Sequence, residues 1–259
     1  MQTRVKNQKT IIPKEGLVRK QFSFVVATIA AIVMLAAVGA SANPDVTLTY
    51  VNKYMVGAGS VVHNDPCLHV NVYMPIQSGW YADLWVSSGF DAKPNFGREV
   101  DYTAGYSASN WEVGGSFFDL NNVFELKTAD IVDFFGEARY TVQIDSTRNF
   151  WLKPFARVEY MLVTRNTRDL SAGTYALGTK GNATLGIVGL SAEVKALYDD
   201  GVFGGDQGWV GRLSASISVN PKNGVLTSIS VGVKQTLLVG IHDARRPETV
   251  FTAGASFGF

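Results

Sequence analysis

A single cysteine, Cys67, stands among 259 residues, so neither an intramolecular disulfide nor a cysteine-based metal cluster can form. Histidine is almost as scarce. None of His63, His69 and His242 has a serine two residues on, which excludes the H-x-S pairing of nucleophile and base used by lipid-hydrolysing barrels. The loop acids Asp199, Asp200, Asp206 and Asp243 near His242 lack the spacing of an acid-base pair. Gly201 to Gly205 lacks the Gly-Lys-Ser/Thr of a phosphate loop. Charged residues make up only 17%. Beyond residue 42 the chain is mildly acidic, with no basic stripe for nucleic acid. Nor does any apolar run there approach the roughly 20 residues of a membrane-spanning helix. No pattern calls for a cofactor or a metal.

What is present begins with a targeting sequence. Arg4, Lys6, Lys9, Lys14, Arg19 and Lys20 precede an apolar run from Phe22 to Gly39 and the small-residue triplet Ala40-Ser41-Ala42. This is the plan of a signal peptide over 1–42, cleaved before Asn43. An uncleaved anchor is the alternative reading of so long a run, and the A-x-A triplet argues against it. The remainder, 43–259, reads as one domain.

Along that domain apolar and polar residues alternate with a period of two, which places them on opposite faces of β-strands. Leu68, Val70, Val72 and Met74 alternate with His69, Asn71 and Tyr73; Leu152, Ala156, Val158, Tyr160 and Leu162 with Lys153, Arg157 and Glu159. Leu213, Ala215, Ile217 and Val219 likewise alternate with Arg212, Ser214, Ser216 and Ser218. With a first strand from Asp45 to about Met55 and a weak one over Thr174 to Gly178, about twelve strands are expected.

A soluble β-sandwich or lipocalin-like barrel shares that period, so the connections and the aromatics decide. Long connections, such as Val56 to Asp65 and Leu237 to Glu248, alternate with tight ones at Gln77-Ser78-Gly79, Ser109-Asn110, Asp145 to Asn149, Lys180-Gly181-Asn182 and Asn220 to Gly224. Outer-membrane barrels show this, with short periplasmic turns and longer outside loops. Trp80, Trp111 and Trp151 each follow a tight turn and, with Phe257 and Phe259, would form a periplasmic aromatic girdle; Phe134, Tyr160, Tyr198, Trp209 and Phe251 would form the outer one. The expected fold is all-β: a transmembrane antiparallel up-and-down barrel in the outer membrane of a Gram-negative bacterium.

Short motifs add a resemblance. Asn52-Lys53-Tyr54, Ser78-Gly79-Trp80-Tyr81 with Trp85-Val86-Ser87, and Glu99-Val100-Asp101-Tyr102 with Gly105-Tyr106 resemble the TorF-like porins, a proteobacterial family. The family usually has an aromatic and an arginine after the Lys-Tyr pair, where this chain has Met55, Val56 and Gly57. No role of that arginine carries over. The resemblance implies a barrel that forms a channel. Phe259, with Phe257 and Phe251 on the same face, resembles the C-terminal signal read by the barrel-assembly machinery.

With apolar residues facing lipid and lipopolysaccharide, the interior receives Lys53 and Asp133. It also receives the candidate lumen-lining residues Asp83, Glu99, Asp101, Glu112, Glu137, Arg139, Lys153, Arg157, Glu159, Glu193, Lys195, Arg212 and Lys234. Charges there need water or partners. The near balance of signs favours a network bracing the wall over a filter of one sign. Tyr73, Tyr81, Trp85, Phe118, Phe135 and Phe155 also point inward and are expected to narrow or fill the passage. The expected function is passive diffusion of small solutes, without catalysis. The alternatives are a closed barrel acting through its loops and, further off, an outer-membrane hydrolase.

Overall fold

The computed structural model describes residues 43–56, 59–90, 98–120, 130–163, 171–202, 205–221, 224–242 and 245–259. The targeting segment expected over 1–42 lies outside them. The strands are β1 (Asp45–Val51), β2 (Tyr54–Met55), β3 (Val61–His63), β4 (Cys67–Pro75), β5 (Trp80–Gly89), β6 (Arg98–Ser107), β7 (Trp111–Leu120) and β8 (Ile131–Arg139). They continue with β9 (Val142–Asp145), β10 (Phe150–Val163), β11 (Ala172–Leu185), β12 (Val188–Asp199), β13 (Gly208–Val219), β14 (Leu226–Val239) and β15 (Thr249–Gly258).

Every neighbouring pair is antiparallel, in the order β1-β4-β5-β6-β7-β8-β10-β11-β12-β13-β14-β15, and β15 returns to β1 through Asp45↔Gly258 to Val51↔Thr252. The result is a closed barrel of 12 strands, which leaves no edge to pair with another chain. The short β9 continues β8: Arg139 opposes Phe155 and Val142 opposes Leu152 in one register. The assignment breaks opposite Pro154, which has no N–H to give the ladder.

Partners across a ladder share a face, so the register assigns every side chain. One row runs Val46, Val72, Leu84, Tyr102, Phe117, Val132 and Leu162. Another runs Val158, Tyr175, Tyr198, Trp209 and Val239. These rows form the outside. Val158, Leu177, Val194, Leu213, Val231 and Leu237 on it are each more than half exposed, an apolar surface that suits hydrocarbon and not water. On the arc of β1, β4, β5 and β6 the outward valines Val46, Val70, Val72, Val86 and Val100 pack together as one cluster.

Aromatics gather where the belt ends. At the turn end the rings of Trp80 and Tyr106 lie 5.4 Å apart, and those of Tyr106 and Trp111 5.2 Å. At the loop end Tyr198 and Trp209 meet edge-on at 5.4 Å. Trp151 departs from the expected girdle. It opposes Asn182 on the inward row, and Lys153 of that row stands over its ring at 4.9 Å.

Two strand expectations are also corrected. The weak strand over Thr174 to Gly178 is the middle of the 14-residue β11. Lys180-Gly181-Asn182, expected as a turn, pairs with Lys153, Leu152 and Trp151 on one side and Glu193, Ala192 and Ser191 on the other. The turn falls instead at Gly186-Ile187, where Gly186 takes a φ of +66°, the left-handed backbone that two-residue hairpins require.

The first strand ends at Val51 rather than near Met55, because the Asn52 side-chain oxygen accepts the N–H of Phe251 at 2.7 Å and terminates the ladder with β15. The chain then turns inward as the hairpin β2–β3, with Gly59 at a φ of +83°.

Candidate functional site

The inward row is polar, and the β2–β3 hairpin lies within the loop end of the lumen. Tyr54 is 7% exposed and packs with Val51, Cys67 and Val250. Its hydroxyl donates to Glu99 Oε2 at 2.6 Å, and its ring sits 5.5 Å from Trp85 and 5.2 Å from His69. Burial, then the Glu99 carboxylate, pushes the Tyr54 phenol above its ordinary range, so it stays a donor. On the far wall Arg212 Nη2 donates to Val56 O at 3.0 Å, and Lys53 Nζ meets Glu248 Oε2 at 2.5 Å. The hairpin therefore bridges from β6 to β13. Sequence reasoning missed this hairpin, whose signal was the pair of glycines Gly57 and Gly59 after an isolated Lys-Tyr.

The sequence-predicted charges divide between two walls. On β5 to β8 stand Asp83, Glu99, Asp101, Glu112, Asp133 and Glu137, with the base Arg139; on β10 to β14 stand Lys153, Arg157, Lys195, Arg212 and Lys234, with the acids Glu159 and Glu193, joined on the inward row by Lys180, which was expected in a turn, and by Asp199, which was expected in a loop. Lys195 directly opposes Arg212, a like-charge pairing that costs a ladder stability. The near balance of signs along the chain conceals this separation in space.

The two walls meet between β8 and β10, and there the charges pair. Arg139 Nη1 binds Glu112 Oε2 at 2.6 Å and Glu137 Oε1 at 3.4 Å. Arg157 Nε binds Glu159 Oε1 at 2.6 Å, and its Nη1 lies 3.7 Å from Glu137 Oε2. Tyr81 donates to Glu112 at 2.6 Å and Thr174 to Glu159 at 3.0 Å. Away from this seam Asn71 donates to Asp83 at 2.7 Å, and Glu193 lies 3.8 Å from Lys180 and 3.9 Å from Lys195.

Arg157 also divides the interior. A cavity of about 620 Å³ under the hairpin is bounded by Tyr54, Trp85, Glu99, Asp101, Asp133 and Glu159 among others. A second, of about 320 Å³ toward the turn end, is bounded by Tyr73, Tyr81, Asp83, Glu112 and Phe135. Both reach Ser116 and Arg157, and the guanidinium lies 4.3 Å over the Phe135 ring. The inward aromatics were expected to narrow the passage, yet two of them lie over glycines of the wall. A Cβ on Gly114 would sit 2.5 Å from Phe135 Cζ, and one on Gly178 2.6 Å from Phe155 Cζ.

The loop acids have structural duties. Asp199, wholly buried, accepts the N–H groups of Gly201 and Val202 and pairs with Arg245; Asp206 accepts the His242 N–H at 2.8 Å. Asp243 lies outside the described residues. Among the described residues, no three His, Cys, Asp or Glu side chains gather as metal ligands do.

No protein-family model matches the sequence, and no curated protein matches it either. Solved structures do match in shape. The NanC porin superposes with a TM-score of 0.52 at 11% identity, over 83% of this chain and 98% of that one. The β domain of the Bordetella autotransporter Brka gives 0.50 at 11%, over 85% and 100%. At such identities the likeness concerns the fold alone: this is a closed 12-strand antiparallel barrel of the outer-membrane type.

Proposed function

We propose that the protein is an outer-membrane channel for passive diffusion of small solutes. One observation carries the reading: two cavities bordered by charged side chains lie in series inside a sealed apolar cylinder and meet at Arg157. A barrel that served only as an anchor for its loops would gain nothing from charged walls, since buried charge costs free energy unless water or partners offset it. The residues that resemble the TorF-like porins support the same reading, because Tyr54, Trp85, Glu99 and Asp101 converge on the outer cavity. In this proposal a signal peptide over 1–42 exports the chain, the strand ending in Phe259 engages the barrel-assembly machinery, and the loop end faces lipopolysaccharide.

Refolded protein in a planar lipid bilayer is expected to give discrete current steps. Silence from protein shown to be folded, by its heat-sensitive mobility on electrophoresis, would overturn the proposal.

A further inference from the structure

We infer that the outer cavity is a binding site for an organic ammonium group, entering with N–H donors and trailing an apolar stem. The inference deepens the channel reading and rests on it only for access from the loop end.

Three carboxyl groups crowd one side of the cavity, from β6 and β8. Asp133 is 3% exposed and Glu99 7%. The Oδ1 atoms of Asp133 and Asp101 are both buried and have no hydrogen-bond partner. A buried carboxylate oxygen without a donor is costly, and such an atom calls for a donor, from water or from a bound group. Among the described residues none of Glu99, Asp101 and Asp133 belongs to an ion pair, and the one base bordering the cavity, Arg157, is committed to Glu159 and Glu137. The site therefore has an excess of hydrogen-bond acceptors.

A bare metal ion does not suit it, because these carboxylates are not drawn together as metal ligands. The cavity is large enough for a small molecule, at about 620 Å³. Its other boundary is apolar: Trp85 and Tyr54 present rings that attract a cation through their faces, and Phe118 and Met161 offer contact for a stem. Orphaned oxygens require donors, which a primary ammonium has and a quaternary one lacks.

Calorimetric titration of the refolded full-length barrel with n-butylammonium tests this, against 1-butanol, butyrate and butyltrimethylammonium. Butylammonium alone is expected to bind. Asp133→Asn and Glu99→Gln should each weaken it about tenfold, the ratio of one charge-assisted hydrogen bond. The comparison among the four probes needs no variant, so it stands even where a substitution prevents refolding. Equal binding of butyltrimethylammonium or 1-butanol, or no binding of butylammonium by a barrel that conducts, would overturn the inference. Binding by a barrel that does not conduct would support the site and overturn the channel.

Discussion

From β4 to β8 the strands are 9 or 10 residues long, and their inward row carries acids and large rings under the hairpin; from β10 to β14 they run to 12 or 14 residues, and the inward row carries bases spaced by Ser191, Ser214 and Ser216. Outside, both halves are apolar, packed together in Val70, Val72, Val86 and Val100 on the first and more than half exposed in Leu177, Val194 and Leu213 on the second. Hydrocarbon imposes one chemistry on every outward position, whereas the inward row meets water and can diverge. The seam between β8 and β10 is where divergence is limited: opposite charges meet on adjacent strands and pair, so short braces lie at the seam, while within the second wall Glu193 reaches Lys180 and Lys195 only at 3.8 and 3.9 Å.

The largest effect should come from breaking the shared outer surface. Leu213 faces out and Ser214 faces in on the same strand. Leu213→Arg is expected to cost about 2–4 kcal/mol, as cations do near the bilayer midplane, while Ser214→Arg, solvated in the lumen, should fall within about 0.5 kcal/mol of the parent. Urea titration of the barrel in vesicles measures both. Equal costs would mean that the two faces are not distinct.

Arg157→Ala attacks the seam. It strips Glu159 and Glu137 of a partner and joins the two cavities. Because the Arg157 side chain is 26% exposed, the cost should be about 1–3 kcal/mol, below that of a fully buried pair. Single-channel conductance should rise at the same time; a fall would remove Arg157 from the path. Gly178→Ala tests how the wall makes room for its rings. The new methyl would meet Phe155 Cζ at 2.6 Å and Val194 O at 2.7 Å, an overpacking expected to cost about 1–3 kcal/mol in the same titration.

The outer surface was legible in the sequence because lipid enforces a strict period of two, and the alternation of Leu152 to Leu162 or Leu213 to Val219 needed no knowledge of neighbours. The interior was not. Whether Arg157 meets Glu137 depends on the register between β8 and β10, which no local pattern records. Lys180-Gly181-Asn182 read as a turn by composition, yet all three pair with β10 on one side and β12 on the other, long-range partners that no local composition records. Trp151 was read as outward from its place after a turn, but it alternates in step with Lys153 and Arg157 along β10 and so falls on the inward row. The hairpin that carries Tyr54 to Glu99 is a contact between residues 45 positions apart, beyond any periodicity. The charges were legible one by one; their division into walls appeared only with the register.

That division makes the smallest and most specific prediction. Lys234 faces the lumen on β14 and joins no ion pair among the described residues, while Asp83 on β5 accepts a bond from Asn71. Lys234→Glu should shift the reversal potential in a salt gradient toward cation preference, and Asp83→Lys should shift it toward anions. A charge acts on a passing ion at roughly 10 Å with about 0.4 kcal/mol in water, so reversing it changes the energy by about 0.8 kcal/mol, a factor of about four in the permeability of each ion and opposite in direction for cations and anions. Screening at higher salt should shrink both shifts together. Shifts of opposite sign and similar size would establish two walls acting across one passage; shifts of the same sign, or a response at only one wall, would mean that ions keep to one side and that the facing charges serve the wall alone.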